Sequence, residues 1–360
     1  MRRVIVRCVA LVSVVLALTG CGEDSVTAPE TETKGGDDGL LRVGILTCGP
    51  SSHVADIWGP ILNATEGRTR MTGMRMTQVW DIVPKDAESF ARRYGVEVVA
   101  DFGDMVGKVD GVILSDFDAV PAYERLAHPY LEAGIPIFIN RPFAYSLAEA
   151  RSMIDLAAAH GTPIMSGSSF EYVKEVEIIR SRLAGLGPIT GFVADNSMSD
   201  YPSHGIHGLY FVYACLGGGV SRVSYLTQDW RAPNGVVVLE YAARKGGKPF
   251  YGAVQEIAGA GPNAWIKVYG KGFAEQWIWW EATQRDRDTF LWLPMLHRMQ
   301  EMFATGKMPE PYENIYEKTQ IFLAGFKSHV EYGGAPVALT EIGDWRAPVL
   351  NPGRYQAFSE

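Results

Sequence analysis

The sequence is poor in cysteine, in basic charge and in long apolar runs. Four cysteines occur in 360 residues, and no two form a C-x-x-C pair. That removes the usual framework of a cysteine zinc site. Lys and Arg total 33 against 41 Asp and Glu, a net charge of −8 with no basic stripe. This balance argues against a nucleic-acid partner. Past the N-terminus no apolar run approaches the roughly 20 residues that span a bilayer. With 47% hydrophobic and 21% charged residues, the rest is ordinary globular sequence, enough for two domains and a large core.

The first 21 residues differ. Arg2, Arg3 and Arg7 form a basic start, and Cys8 to Leu18 is an apolar stretch of signal-peptide length. It ends in Leu18-Thr19-Gly20-Cys21, which resembles the lipobox of bacterial lipoproteins. In that family the cysteine is diacylated and becomes the first residue of the mature chain. The resemblance implies Cys21 as a lipidation site, 1–21 as a lipoprotein signal peptide, and export to the cell envelope. The protein would sit on the periplasmic side or at the outer membrane, touching the membrane only through its lipid. An ordinary signal peptide or a short anchor helix is the alternative. Residues 22–40 offer almost nothing to bury and read as a disordered tether. The start Met1-Arg2-Arg3 also loosely resembles a twin-arginine signal, which exports folded proteins. Of the remaining cysteines, Cys48 falls on the first β-turn and Cys215 on a distant helix, positions that argue against a disulfide.

Leu41 to Leu46 is a short apolar run without two-fold alternation, as in a parallel strand buried on both faces. It breaks at Cys48-Gly49-Pro50 and enters a helix behind Ser51 or Ser52. Strand, glycine turn and helix N-terminus in that order make an anion site, the place of the pyrophosphate in a dinucleotide fold. Aligned on G-x-G-x-x-G, the turn reads Thr47, Gly49, Ser52, so one glycine of three survives. A second strand, Met76 to Trp80, ends at Asp81, a carboxylate placed to bond both ribose hydroxyls of an adenosine. It would repel a 2′-phosphate, which favours NAD over NADP. A turn Asp opening the next loop is the plainer reading. The polar connection from Ile61 to Gly73 explains the long interval between Gly49 and Asp81.

Further along, Pro84 to Arg93 reads as a helix stopped by Gly95, and Ser146 with Glu149 as a capping box opening the next. Six strands alternating with helices, the last at Pro163 to Met165, imply an α/β fold with a doubly wound parallel sheet. Past Gly167 strands dominate between flanking helices, implying an α+β domain with a mostly antiparallel open sheet. The expected division is a Rossmann dinucleotide-binding domain over 41–166, a substrate and dimerisation domain over 167–340, and a C-terminal tail over 341–360.

Four segments together resemble the Gfo/Idh/MocA oxidoreductase family: VGILTCG, VWDIVPKDAESFARRYG, YLEAGIPIFINRPFA and GIHGLYFVYACLGGG. The resemblance covers about residues 41–340. It implies NAD(P)-dependent hydride transfer at a sugar or polyol carbon, a small-molecule sugar or polyol substrate, and a homodimer or higher homo-oligomer built on the open sheet. Thr47, Cys48, Gly49, Ser52, Asp81, Asn140 and Arg141 would hold the cofactor. The family's Glu-Lys-Pro after the fifth strand reads Asn140-Arg141-Pro142 here. Arginine holds an oxyanion or phosphate but, staying charged, is no general base. The family's D-x-G-x-H reads Ser203-His204-Gly205-Ile206-His207, keeping the histidine and losing the aspartate.

His207, His204 and Arg141 are therefore the expected catalytic groups. Two histidines three positions apart also suit a metal, but no third ligand stands near them, and no metal site is assigned. Tyr172, after the sixth strand, is an expected substrate contact. Weaker candidates are His53, Asp116, Asp118 and the aromatic strand Trp277 to Trp280 beside Glu281. The segment Tyr201-Pro202-Ser203-His204-Gly205 is also similar to one in NAD-dependent glycoside hydrolases of the same superfamily, which keep their NAD bound. A catalytically degenerate carbohydrate-binding protein on the same scaffold is the remaining alternative.

Overall fold

The computed structural model describes residues 35–36, 38–65, 67–197, 199–244, 246–259, 263–278, 283–351 and 353–355. The signal peptide, Cys21, most of the tether, Trp279, Trp280 and Glu281 lie outside the described residues. The N-terminal half is built from β1 (Leu41–Leu46), α1 (Gly59–Leu62), β2 (Met74–Trp80), α2 (Pro84–Tyr94), β3 (Glu97–Val98), β4 (Gly111–Leu114), α3 (Tyr123–Glu132), β5 (Ile137–Asn140), α4 (Leu147–His160) and β6 (Ile164–Gly167). All six strands pair in parallel in the order β3-β2-β1-β4-β5-β6. Every residue of β4, β5 and β6 is buried, as the unalternating apolar runs require.

Local signals set the helix ends. Gly95 takes the left-handed conformation, φ 67°, and closes α2. Ser146 Oγ accepts the Glu149 N–H at 3.2 Å, while the Glu149 carboxylate accepts from Tyr145 N, one residue earlier than in a strict capping box. The first helix enters as a wide π-helical turn over Val54–Trp58 before α1, with Val54 and Trp58 buried.

The second half adds α5 (Lys174–Leu183), β7 (Gly191–Ser197), α6 (Ile206–Leu216), β8 (Val220–Leu226), β9 (Asn234–Tyr241), β10 (Phe250–Ile257), β11 (Asn263–Tyr269), β12 (Phe273–Ile278), α7 (Gln284–Arg287), α8 (Leu293–Thr305), α9 (Tyr312–Tyr332) and β13 (Val337–Ala338). Its sheet runs β12-β11-β7-β10-β9-β8-β13 and is antiparallel except where β10 lies parallel to β7. Residues of β10 alternate between buried and more exposed positions, so one face is packed and the other open. Helix α6 is buried along its whole length. The helix expected over Glu171 to Leu186 is split: Ser169–Glu171 forms one turn and α5 starts at Lys174, after Val173 in extended conformation.

Lys318 of α9 ties the second half to the end of β6. Its ammonium, 1% exposed, donates to Glu171 and Glu310 at 2.7 Å each and to the Ser166 carbonyl at 3.1 Å. A buried ion cluster adds little net stability over an apolar one, but removing one member strands the others. Lys318→Met is therefore expected to lower unfolding free energy by about 3–5 kcal/mol in urea titrations. A loss under about 1 kcal/mol would mean that the cluster behaves like a surface pair.

Candidate functional site

In an open parallel sheet, ligands bind beyond the strand C-termini where the strand order reverses. Here that point lies between β1 and β4. Thr47, in the place of the first fingerprint glycine, adopts φ 67°, a conformation that strains a β-branched residue. Its hydroxyl accepts the Asp116 N–H at 3.1 Å. The loops after β1 and β4 are bonded directly to each other. Ser52 Oγ meets Ser115 Oγ, Ser51 Oγ donates to Asp118 at 2.5 Å, and the backbones bridge between Ser52 and Asp116. Ser52, at the third glycine position, is buried in this seam.

Asp81 ends β2 with its carboxylate fully buried. Oδ2 accepts the Cys48 N–H at 2.7 Å and Oδ1 accepts the Val83 N–H at 2.8 Å. The third partner comes from the far end of the chain: Arg354 Nη2 donates to Asp81 Oδ1 at 2.8 Å and to Asp86 at 2.5 Å. Tyr355, 1% exposed, donates its hydroxyl to Asp116 at 3.1 Å and stands 3.5 Å from Asp81 Oδ2. The guanidinium lies close to the first turn. A β-carbon on Gly49 would stand 2.6 Å from Arg354 Nη2 and 2.4 Å from Asp116 Oδ2, so any larger residue there would displace these side chains. Asn351 donates to Asp118 at 2.9 Å, and the Ala347 N–H to the Tyr145 carbonyl at 2.8 Å. The C-terminal segment thus crosses the crevice end of the sheet and seats its last described side chains between the β1, β2 and β4 loops.

A second cluster forms between the two halves. Arg141 follows β5, is 1% exposed, and extends Nη2 to His207 Nε2 at 2.9 Å. Arginine only donates, so Nε2 is the acceptor and the proton of His207 sits on Nδ1, directed at Ser168 Oγ at 2.5 Å. The Arg141 guanidinium also lies 3.3 Å from both ring nitrogens of His53 and from Asn140 Oδ1. Burial, reinforced by the Arg141 charge, holds His53 and His207 well below the usual imidazole range, so both are neutral. Burial likewise lowers Arg141 to about 10, which leaves it protonated at neutral pH. His204 faces the cluster at 6.1 Å from the His207 ring and carries its own carboxylate, Asp200, 3.3 Å from Nδ1. Burial pushes Asp200 up, but bonds from His204 and Ser203 outweigh it and hold the group below the ordinary carboxylate range.

The structure therefore sorts the expected residues into two groups. Thr47, Cys48, Gly49, Ser52 and Asp81 gather at the first turn; His53, Asn140, Arg141, His204 and His207 gather between the halves. Tyr172 joins neither, lining instead a cavity of about 890 Å³ with Arg180, His297, Arg298 and Glu310. Cys48 and Cys215 are buried and unbridged. Trp277 stacks on Trp265 across the β11–β12 pair, ring centres 5.3 Å apart. Sequence reasoning missed Arg354, Tyr355, Ser168 and Asp200. Only Asp200 carried a signal: it precedes His204 by four residues, the spacing of the family's own Asp and His, one helical turn early.

Residues 44–168 match the Gfo/Idh/MocA family model, described as an oxidoreductase family with an NAD-binding Rossmann fold. Among curated proteins, an uncharacterized protein of Saccharomyces cerevisiae is 22% identical over 191 residues, 46% of this chain and 53% of its own. The chain thus spans about half the length of that relative. Among solved structures, the fold is that of a myo-inositol dehydrogenase from Lactobacillus casei in complex with NAD(H) and myo-inositol (TM-score 0.69, 16% identity, 83% of this chain and 96% of that one). It is also that of a probable dehydrogenase from Thermotoga maritima (TM-score 0.67, 16% identity, 84% and 100%). A scyllo-inositol dehydrogenase from Lactobacillus casei, with NAD(H) and scyllo-inositol, has the same fold (TM-score 0.66, 14% identity, 84% and 99%).

Asp116 gives the crevice a pH signature. Burial, more than repulsion by Asp118, raises its carboxyl to about 6, against bonds from the Asp118 N–H and Tyr355. In the unfolded chain it ionises near 3.8. Below that value both states are protonated and the group contributes nothing. Between about pH 4 and 6 the unfolded chain sheds this proton first, so stability falls as pH rises, then levels off. Asp116→Asn is expected to flatten that part of the stability profile in urea titrations between pH 4.5 and 7. Parallel profiles for variant and wild type would contradict the assignment.

Proposed function

We propose that this protein is a carbohydrate- or polyol-binding member of the Gfo/Idh/MocA family, held at the bacterial cell envelope by a lipid on Cys21, whose dinucleotide crevice is closed by its own C-terminus. The observation that carries this reading is the seat of Arg354 and Tyr355. A dinucleotide needs three things here: a free carboxylate for the ribose, a bare glycine under the pyrophosphate, and space between the two loops. Asp81 is already bonded to two backbone N–H groups and Arg354. Gly49 is covered by Arg354 and Asp116. The loops are bonded together, and Asp116 and Asp118 would repel phosphate. As they stand, these residues do not fit NAD or NADP.

The interdomain cluster supports the same reading. A general base needs a free lone pair within reach of the substrate proton. The lone pair of His207 is taken by Arg141, and Arg141 keeps its proton. His204 with Asp200 is the one imidazole–carboxylate pair of the cluster and is placed to bond sugar hydroxyls. The open face of the second sheet, with Tyr251 and Phe273 each 61% exposed, supports the homodimer expected from the family.

A second reading, an NAD(P)-dependent sugar oxidoreductase or a glycoside hydrolase using bound NAD, is supported by Asp81 and Gly49 at their family positions. It requires residues 351–355 to leave the crevice. Denaturing protein purified from its native membrane fraction and assaying the supernatant for NAD(H) and NADP(H) separates the two. The expected result is far less than one equivalent of either, with no binding of added NAD up to millimolar concentration. The full-length double variant Arg354→Ala, Tyr355→Ala is expected to bind NAD at least about tenfold better than wild type. Near-stoichiometric cofactor in the native protein would overturn the binding-protein reading in favour of the second.

A further inference from the structure

The interdomain cluster holds a buried cation without an anion. The Nη groups of Arg141 face the neutral rings of His53 and His207 and the Asn140 amide oxygen, and its buried Nε–H has no partner. Among the described residues no carboxylate lies within ion-pair distance of it. Lys318, Arg68 and Arg354 are different: each is bonded directly to at least one carboxylate. Asp200 is engaged by Ser203 and His204 instead. Holding a charge out of water costs several kcal/mol unless a counter-charge meets it, and Arg141 has no counter-charge of its own.

Partly exposed rings surround the cation. Its Cζ stands 5.5 Å from the Phe117 ring centre. Phe117 and His53 are half-buried, and the His204 side chain is 31% exposed. All three rings beside the cluster are thus partly open to solvent.

We propose that Arg141 anchors the carboxylate of an acidic sugar, a uronic or aldonic acid, bound between the two halves of the chain. The proposal rests on the carbohydrate-binding reading and adds the charge of the ligand. The free Nε–H and the neighbouring Nη2, drawn from its long 3.3 Å contact with His53 Nε2, form one edge of the planar fork, which matches the two oxygens of a carboxylate. Charge balance selects carboxylate over phosphate monoester. With the imidazoles neutral, one negative charge cancels the guanidinium. A second would remain uncompensated in a buried site that already contains Asp200. His204 then faces the ring hydroxyls.

Calorimetric titration of the full chain with D-glucuronate, D-glucose and glucose 6-phosphate at neutral pH tests this. Glucuronate is expected to bind at least about tenfold more tightly than either of the others. Arg141→Met should abolish the difference between glucuronate and glucose. It removes the uncompensated charge, so it is expected to fold, which far-UV circular dichroism checks. Arg141→Lys, which loses the fork and holds its proton less firmly when buried, should retain at most part of the preference. Equal binding of glucuronate and glucose, preference for the phosphate, or a preference that survives in Arg141→Met would each overturn the proposal. Equal binding leaves the carbohydrate-binding reading intact, whereas no binding of either sugar by the wild-type chain ends both.

Discussion

The buried carboxylate of Asp81 is the constraint on which the crevice end of the parallel sheet depends. A carboxylate so placed must be met by donors, because an unpaired charge out of water is far more costly than the bonds it forms. The N–H groups of Cys48 and Val83 supply part of that requirement and fix the turns after β1 and β2. In the solved structures of this fold that carry NAD(H), a bound dinucleotide is also present. Here Arg354 completes the set, and with it come Tyr355, the contact against Gly49 and the strap across the β4 loop.

Two arginines thus anchor the two clusters. Arg354 lies at the first turn, against Asp81, Asp86 and Asp116. Arg141 lies in the other cluster, between His53 and His207. Their settings are opposite in sign. The first has more carboxylates than it needs; the second has none within reach. The first arrangement is self-contained and resists a ligand, while the second is electrostatically incomplete and invites one. Lysine in place of Arg141 can shed its proton when buried and act in acid–base chemistry; arginine keeps its charge and can only bind and orient.

Much of the fold was legible because its determinants are local. The unalternating run of β1, the glycine that closes α2 and the serine that caps α4 each act within a few residues. Asp81 and Gly49 were legible because strand ends and tight turns restrict residue type. The closing segment was not: Arg354 meets Asp81 across 273 residues of sequence, from a stretch without periodicity. Asp200 was overlooked because the family motif was aligned on the histidine at 207, which left its carboxylate apparently missing. The position of Tyr172 after β6 points to the substrate, but the one-turn helix at Ser169–Glu171 carries it toward another cavity, while Ser168 takes the contact with His207.

The C-terminal segment occupies the dinucleotide crevice in the free protein. Hydrogen–deuterium exchange on the full chain at neutral pH, without added nucleotide, reads this directly at the amides of Cys48, Val83 and residues 353–355. Slow exchange is expected at Cys48 and Val83, becoming fast when Arg354 and Tyr355 are both replaced by alanine, with residues 353–355 protected in the wild type. Exchange of residues 353–355 at the rate of an unstructured peptide, with Cys48 and Val83 unaffected by the double replacement, would contradict that placement.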